Sequence, residues 1–169
     1  MKTGVKLHFS IATDADAESI ASLRTAVAER LTQIHGPGPW SWKVTAKGVR
    51  YSLRASRVLV ARDGDDIVGT LNLATKKPWA IDVAYFTAVP KSLYLTAMAV
   101  AADRQRTGIG RSLIEQAQAM ARTWPADAIR LDAYDANAGA GEFYAKCGFR
   151  KVGRVTYRGT PLIYFEALL

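Results

Sequence analysis

With 169 residues, 49% of them hydrophobic and 22% charged, the chain is long enough to bury one core and too short to divide comfortably into two, and its composition excludes a disordered polypeptide. The net charge of +8 favours an anionic partner, but the 23 basic residues are scattered in short pairs such as Lys76–Lys77, so nothing resembles a nucleic-acid-binding arm. One cysteine, Cys147, and two histidines, His8 and His35, exclude a disulfide framework and leave no ligand set for a metal site.

Residues 7–13, "LHFSIAT", alternate as a first strand. Thr13 with Asp16 three places on then opens a helix, and Ile20, Leu23, Val27, Leu31 and Ile34 form one apolar stripe along it until Gly36 and Pro37 end it. A second helix is expected within residues 40–55, where Val44, Gly48, Tyr51 and Ala55 share a face. Two β-branched runs, residues 58–61 and 67–73, bracket a turn at Asp63 and Gly64 and read as a hairpin.

An irregular aromatic segment comes next, and residues 93–100, "LYLTAMAV", read as an apolar strand. Behind "RQRTGIGRSL", helical spacing of Ile109, Leu113, Ala117 and Trp124 predicts a helix that Pro125 ends. Residues 128–134 are a strand, "NAGAGEFYAKCGF" is a short helix closed by Gly148, and two strands around residues 158–160 finish the chain. The order predicts a single mixed α/β domain over residues 1–169. No residue run approaches a membrane span and no signal-peptide pattern opens the sequence, so a cytoplasmic protein without membrane partners is expected.

Gly108 and Gly110 lie where a strand turns into a helix. Such a turn is either plain chain reversal or an anion site, because it leaves backbone N–H groups and the positive end of the helix dipole uncovered. A P-loop is excluded by the missing G-K pair, and a dinucleotide fingerprint by Leu113 in place of its third glycine.

"QRTGIG" resembles the Q/R-x-x-G-x-G/A loop of the GNAT superfamily of N-acetyltransferases, and residues 131–153, "LDAYDANAGAGEFYAKCGFRKVG", resemble that family's next strand and helix. The resemblance implies a central, mostly antiparallel, twisted sheet of about six or seven strands with about four helices, splayed at a cleft for acetyl-CoA. It implies that the backbone of Met98, Ala99 and Val100 pairs with the pantetheine arm. Gln105, Arg106, Thr107, Gly108, Ile109, Gly110, Arg111 and Ser112 would then cradle the pyrophosphate, with Arg104 as a further phosphate contact. Asn137, at the start of the short helix, would reach the pantetheine or cap its own helix.

By the same resemblance, an amine attacks the thioester directly, and Tyr144 is the general acid that protonates the thiolate. The strand of residues 93–100 holds no carboxylate where many relatives have a glutamate. Asp82 is the nearest sequence candidate for the base, with Asp132 and Asp135 flanking the next strand. Trp40, Trp79 and Tyr85 are expected in the acceptor pocket. The reading is an acetyl-CoA-dependent N-acetyltransferase for a small-molecule amine or amino-acid derivative. Its alternatives are a protein N-terminal or lysine acetyltransferase and a non-catalytic CoA-binding module, and an exposed final strand would allow a homodimer.

Overall fold

The computed structural model describes residues 6–169. Seven strands form one sheet in the order β1-β2-β3-β4-β5-β7-β6: β1 (Leu7–Ile11), β2 (Arg57–Asp63), β3 (Asp66–Ala74), β4 (Ser92–Val100), β5 (Ala128–Tyr134), β6 (Arg150–Tyr157) and β7 (Thr160–Leu168). Every neighbouring pair is antiparallel except β4 with β5. The helices are α1 (Ala17–His35), α2 (Ala46–Ala55), α3 (Ile109–Thr123) and α4 (Gly141–Lys146).

Burial explains the strand patterns. The middles of β2 and β3 are continuously buried, from Val58 to Ala61 and from Val68 to Leu73, because helices cover both faces there; β6, at the sheet edge, is nowhere fully buried. On one face Leu113, Ile114 and Ala117 of α3 pack against Leu71, Leu93 and Ile129, each fully buried side chain contributing about 1.5–3 kcal/mol. On the other face Ala17, Ile20 and Ala21 of α1 and Val49 of α2 cover Val58 and Val60. Beside them the segment between β3 and β4 lays Ile81 and Phe86 over Tyr94 and Tyr164.

Several boundaries differ from the sequence pattern for local reasons. At α1, the Thr13 backbone N–H donates to Asp16 Oδ2 at 2.9 Å, as the capping pattern required, but the first turn is 3₁₀ and the α-helix starts at Ala17. The second helix begins at Ala46, because Thr45 accepts from the Gly48 N–H at 3.1 Å and caps it; residues 40–44 stay irregular. The short helix begins at Gly141 rather than at Asn137. A tight turn intervenes, in which the Gly139 N–H donates to Ala136 O at 2.8 Å and a Cβ on Gly139 would stand 1.9 Å from Tyr134 O.

Strand β4 is irregular along both of its edges. Its parallel ladder with β5 holds only three residue pairs, Ser92 to Tyr94 against Ala128 to Arg130, after which the strands part. Its ladder with β3 is broken where Thr70 faces Ala99 and Asn72 faces Thr96, so one residue of β3 opposes two of β4. Ala97 sits in this bulge at φ 52°, a left-handed conformation that an alanine adopts only where its surroundings impose it.

Candidate active site

The parting of β4 and β5 opens a cleft between the two faces of the sheet. Its first part, about 540 Å³, lies between Met98 to Val100 of β4, the turn entering α3, and Phe143, Tyr144 and Cys147. Its second part, about 420 Å³, continues between the same strands to Arg24 on α1, Trp40 and Trp42 in the loop after it, and Asp132 and Tyr134 on β5. Met98, Ala99 and Tyr144 border both, so these residues mark the junction.

The glycine turn builds one end. Gly108 caps α3 at φ 92°, a left-handed conformation that glycine adopts without strain. The first helical hydrogen bond runs from the Ser112 N–H to Gly108 O at 3.0 Å, and the N–H groups of Ile109, Gly110 and Arg111 precede it without an intrahelical acceptor. Gly110 borders the cleft under Phe143: a Cβ there would lie 3.0 Å from Phe143 Cζ. Gln105 and Arg106 also line this end, and Gln105 Nε2 donates to Val100 O at 3.1 Å, holding the turn against β4. Arg111 borders it too and donates to Lys146 O at 3.1 Å, tying α3 to α4.

The other members of the expected loop have different places. Ile109 turns its side chain into the core, and Thr107 donates to Arg104 O. Ser112 is half-buried behind the turn. Arg104 forms an ion pair with Asp63 at 2.7 Å, so its charge is spent on the β2–β3 hairpin. Asn137 is exposed, three positions before Ala140 at the N-cap of α4, and it caps nothing; the reason is the Gly139 turn, which delays the helix.

At the junction, Tyr144 is buried among Phe143, Phe149 and Phe165. Its hydroxyl donates to Met98 Sδ at 3.7 Å, a weak acceptor. Burial, then the neighbouring charges of Asp132 and Cys147, push its pKa far above the ordinary phenol value, so it keeps its proton at every physiological pH.

Beyond the junction two charged groups stand out. Asp132 is half-buried with no hydrogen bond or ion pair to its carboxylate among the described residues, and burial raises its pKa. Arg24 is 9% exposed; it donates from Nη2 to Asn72 Oδ1 at 2.6 Å, but its buried Nε has no partner, and burial pulls it down to about 10. Trp40 walls this part, its Nε1 donating to Gly36 O at 3.0 Å and its ring standing edge-on to Tyr134. Tyr134 Oη donates to Pro39 O at 3.1 Å, pinning the loop over β5.

Asp82, Trp79 and Tyr85 lie elsewhere. They line a separate depression with Val155, Tyr157 and Tyr164. The Asp82 carboxylate accepts from the Ala84 N–H at 3.0 Å and caps a 3₁₀ turn, the ordinary fate of an aspartate in a loop. Trp79 is 84% exposed there. Arg24 was not singled out in the sequence, although an arginine inside the Ile20–Val27–Leu31 stripe was a readable signal, since an arginine on the buried stripe of a helix needs a partner.

An α/β sheet splayed beside a glycine turn, with a protonated tyrosine at the opening, is the architecture of an enzyme with a cleft between two strands. The chain belongs to the acetyltransferase (GNAT) family, whose family model matches residues 26–149. No curated protein matches its sequence. Among solved structures it is similar to yncA of Salmonella typhimurium, solved with its cofactor acetyl-CoA, at 16% identity and TM-score 0.72 over 96% of this chain and 94% of that one. It is similar also to the PaiA N-acetyltransferase of Thermoplasma acidophilum in complex with coenzyme A, at 14% identity and TM-score 0.75 over 97% and 99%. The ribosomal-protein-alanine N-acetyltransferase of Brucella melitensis matches at 20% identity and TM-score 0.74 over 96% and 99%.

Proposed function

We propose that this protein transfers the acetyl group of acetyl-CoA to the primary amine of a small molecule. The carrying observation is the continuous cleft through the splayed strands, with uncovered backbone N–H groups at one end and an unpaired carboxylate, Asp132, at the other.

The residues present fit coenzyme A. Three N–H groups at the start of α3 have no intrahelical acceptor where Gly110 presents no Cβ, and Arg106 and Arg111 border the same end, a donor set suited to a pyrophosphate. The bulged edge of β4 from Met98 to Val100 faces the gap that β5 leaves, and it suits an extended amide-bearing arm. When bound, acetyl-CoA supplies the acetyl thioester and a thiolate leaving group.

The chain's own groups divide the proton work. Tyr144 holds a proton on Oη at the junction and shares it only with a weak thioether acceptor, so it is poised as the general acid. Asp132 takes the place expected of Asp82: it accepts a proton from the acceptor's ammonium and leaves a neutral amine. Burial raises its pKa and makes it a better base than an exposed aspartate. Trp40 and Leu31 present apolar surface in the same part of the cleft.

The test is a thermal-shift titration with acetyl-CoA followed by thiol release against a panel of amines. Stabilisation by acetyl-CoA and turnover with at least one amine are expected. Absence of stabilisation by acetyl-CoA would overturn the reading, and turnover only with peptides would move the acceptor to protein N-termini or lysines. Tyr144→Phe is expected to lower kcat about 100-fold with coenzyme A affinity unchanged; an undiminished kcat across the pH range would remove the general-acid role.

A further inference from the structure

In the acceptor part of the cleft the sheet face carries a row of polar residues. Asn72 on β3 pairs directly with Thr96 on β4. Two residues before Thr96, Tyr94 pairs with Arg130 on β5; Asp132 follows Arg130 by two residues, on the same face and across the gap where the strands part. The row therefore runs Asn72, Thr96, Asp132 across three adjacent strands. Arg24 hangs over its first member, bonded to Asn72 at 2.6 Å, and Asp132 closes its far end. Both charges line the same part of the cleft.

These charges are opposite, partly desolvated, and not paired with each other. Arg24 has no carboxylate partner among the described residues and leaves a buried Nε without an acceptor. An unpaired buried guanidinium is retained against a cost that a methionine or leucine at that helix position would avoid. A ligand carrying the complementary anion removes the cost.

We propose, building on the acetyl-transfer reading, that the acceptor is an α-amino acid: Arg24 receives its carboxylate, Asp132 its ammonium, and Trp40 and Leu31 wall an apolar or aromatic side chain. An α-amino acid carries both complementary charges on one carbon, and an amine without a carboxylate would leave Arg24 unmatched. The same arrangement sets the reacting nitrogen at the Asp132 end, the end nearer the gap between β4 and β5 and hence the junction at Tyr144. Arg24 acts here as a substrate-binding and specificity residue and takes no part in proton transfer.

The experiment compares L-phenylalanine and L-leucine with L-phenylalaninamide and phenethylamine, each at saturating acetyl-CoA. Binding is read by thermal shift in the presence of coenzyme A, and turnover by thiol release. For the wild type the amino acids are expected to exceed phenethylamine by at least about 100-fold in kcat/KM, with the amide in between, because a site built to bond a polar group rejects the analogue that lacks it. Arg24→Gln is expected to erase that preference through KM, Arg24→Lys to restore part of it, and both to keep the wild-type stabilisation by acetyl-CoA, which shows that they fold and hold the donor. Equal use of phenethylamine and amino acids by the wild type, or an unchanged preference in Arg24→Gln, would overturn the assignment of Arg24. Turnover of amines with no turnover or binding of any amino acid would overturn the substrate class and leave acetyl transfer standing. Loss of acetyl-CoA stabilisation in the wild type would instead remove the acetyl-transfer reading itself.

Discussion

Two groups of buried charge sit on one face of the sheet, and they are built in opposite ways. Around Glu166, 1% exposed on β7, the carboxylate is fully bonded: Thr87 donates to it from its backbone at 3.0 Å and from its hydroxyl at 2.6 Å, Arg150 at 3.0 Å, and Arg130, whose buried Nε makes no hydrogen bond, stands 4.0 Å away as its charge partner. Around Arg24 and Asp132 little is met, and the charges face a cavity. The first cluster fastens the segment between β3 and β4 to the sheet and lines neither part of the cleft. In the second the protein holds charges uncompensated. For Arg24, moved from 12.5 to about 10, that costs about 3 kcal/mol. The difference lies in the partner: Arg130 stands beside a carboxylate, whereas Arg24 faces a cavity without one.

Asp132→Asn breaks the comparison most sharply. Acetyl transfer is expected to fall by about 10²–10⁴-fold, and the acid limb of kcat/KM to disappear. The variant should nonetheless melt higher than the wild type at neutral pH. Burial raises the folded-state pKa of Asp132, so the ionised wild type is penalised above that value; the gap narrows as pH falls and closes below the unfolded value of 3.8. A lowered Tm at pH 7 would place Asp132 among the structural charges.

Glu166→Ala should do the reverse, costing about 3–5 kcal/mol of stability by stranding Arg150, Thr87 and Arg130, with kcat little changed in the protein that remains folded. Burial by itself would raise the pKa of Glu166, yet the hydrogen bonds from Thr87 and Arg150 bring it below 4.5. Its contribution is therefore complete above pH 4.5 and lost as pH falls through the lowered value, a dependence that urea titrations at several pH values would read.

Gly110→Ala is a smaller probe. Its Cβ must move Phe143 by a few tenths of an ångström at the donor end, and KM for acetyl-CoA is expected to rise severalfold with stability within about 1 kcal/mol of wild type, measured by steady-state kinetics and melting. Trp79→Ser, in the separate depression, should leave both kinetic constants where they are; a changed KM for the amine would bring that depression into the acceptor site.

The order of strands and helices was legible because each long element carries a clean period and a stop signal: the α1 stripe before Gly36, the α3 stripe before Pro125, the hairpin at Gly64. The glycine-turn end of the cleft was legible for a similar reason, since a glycine turn between a strand and a helix is a local pattern. The end at Arg24 and Asp132 was not. Asp132 and Arg24 are 108 positions apart and meet only because β3, β4 and β5 lie side by side, a consequence of topology that no local pattern expresses. Trp40 was read from its aromatic character and lines the cleft, whereas Trp79 and Tyr85 have the same character and do not. Asn137 was misplaced as a cap because the close approach of Gly139 to Tyr134 O is a contact across a turn, invisible in spacing.

The short ladder between β4 and β5 makes this domain two half-sheets joined by a narrow seam. Three residue pairs hold it, where β5 and β7 share seven. The core under α3 spans both halves, so what the seam lacks is backbone bonding alone. Acetyl-CoA seated between the strands is therefore expected to slow amide exchange most in β4 and β5 beyond Tyr94 and Arg130, and least in β2 and β7.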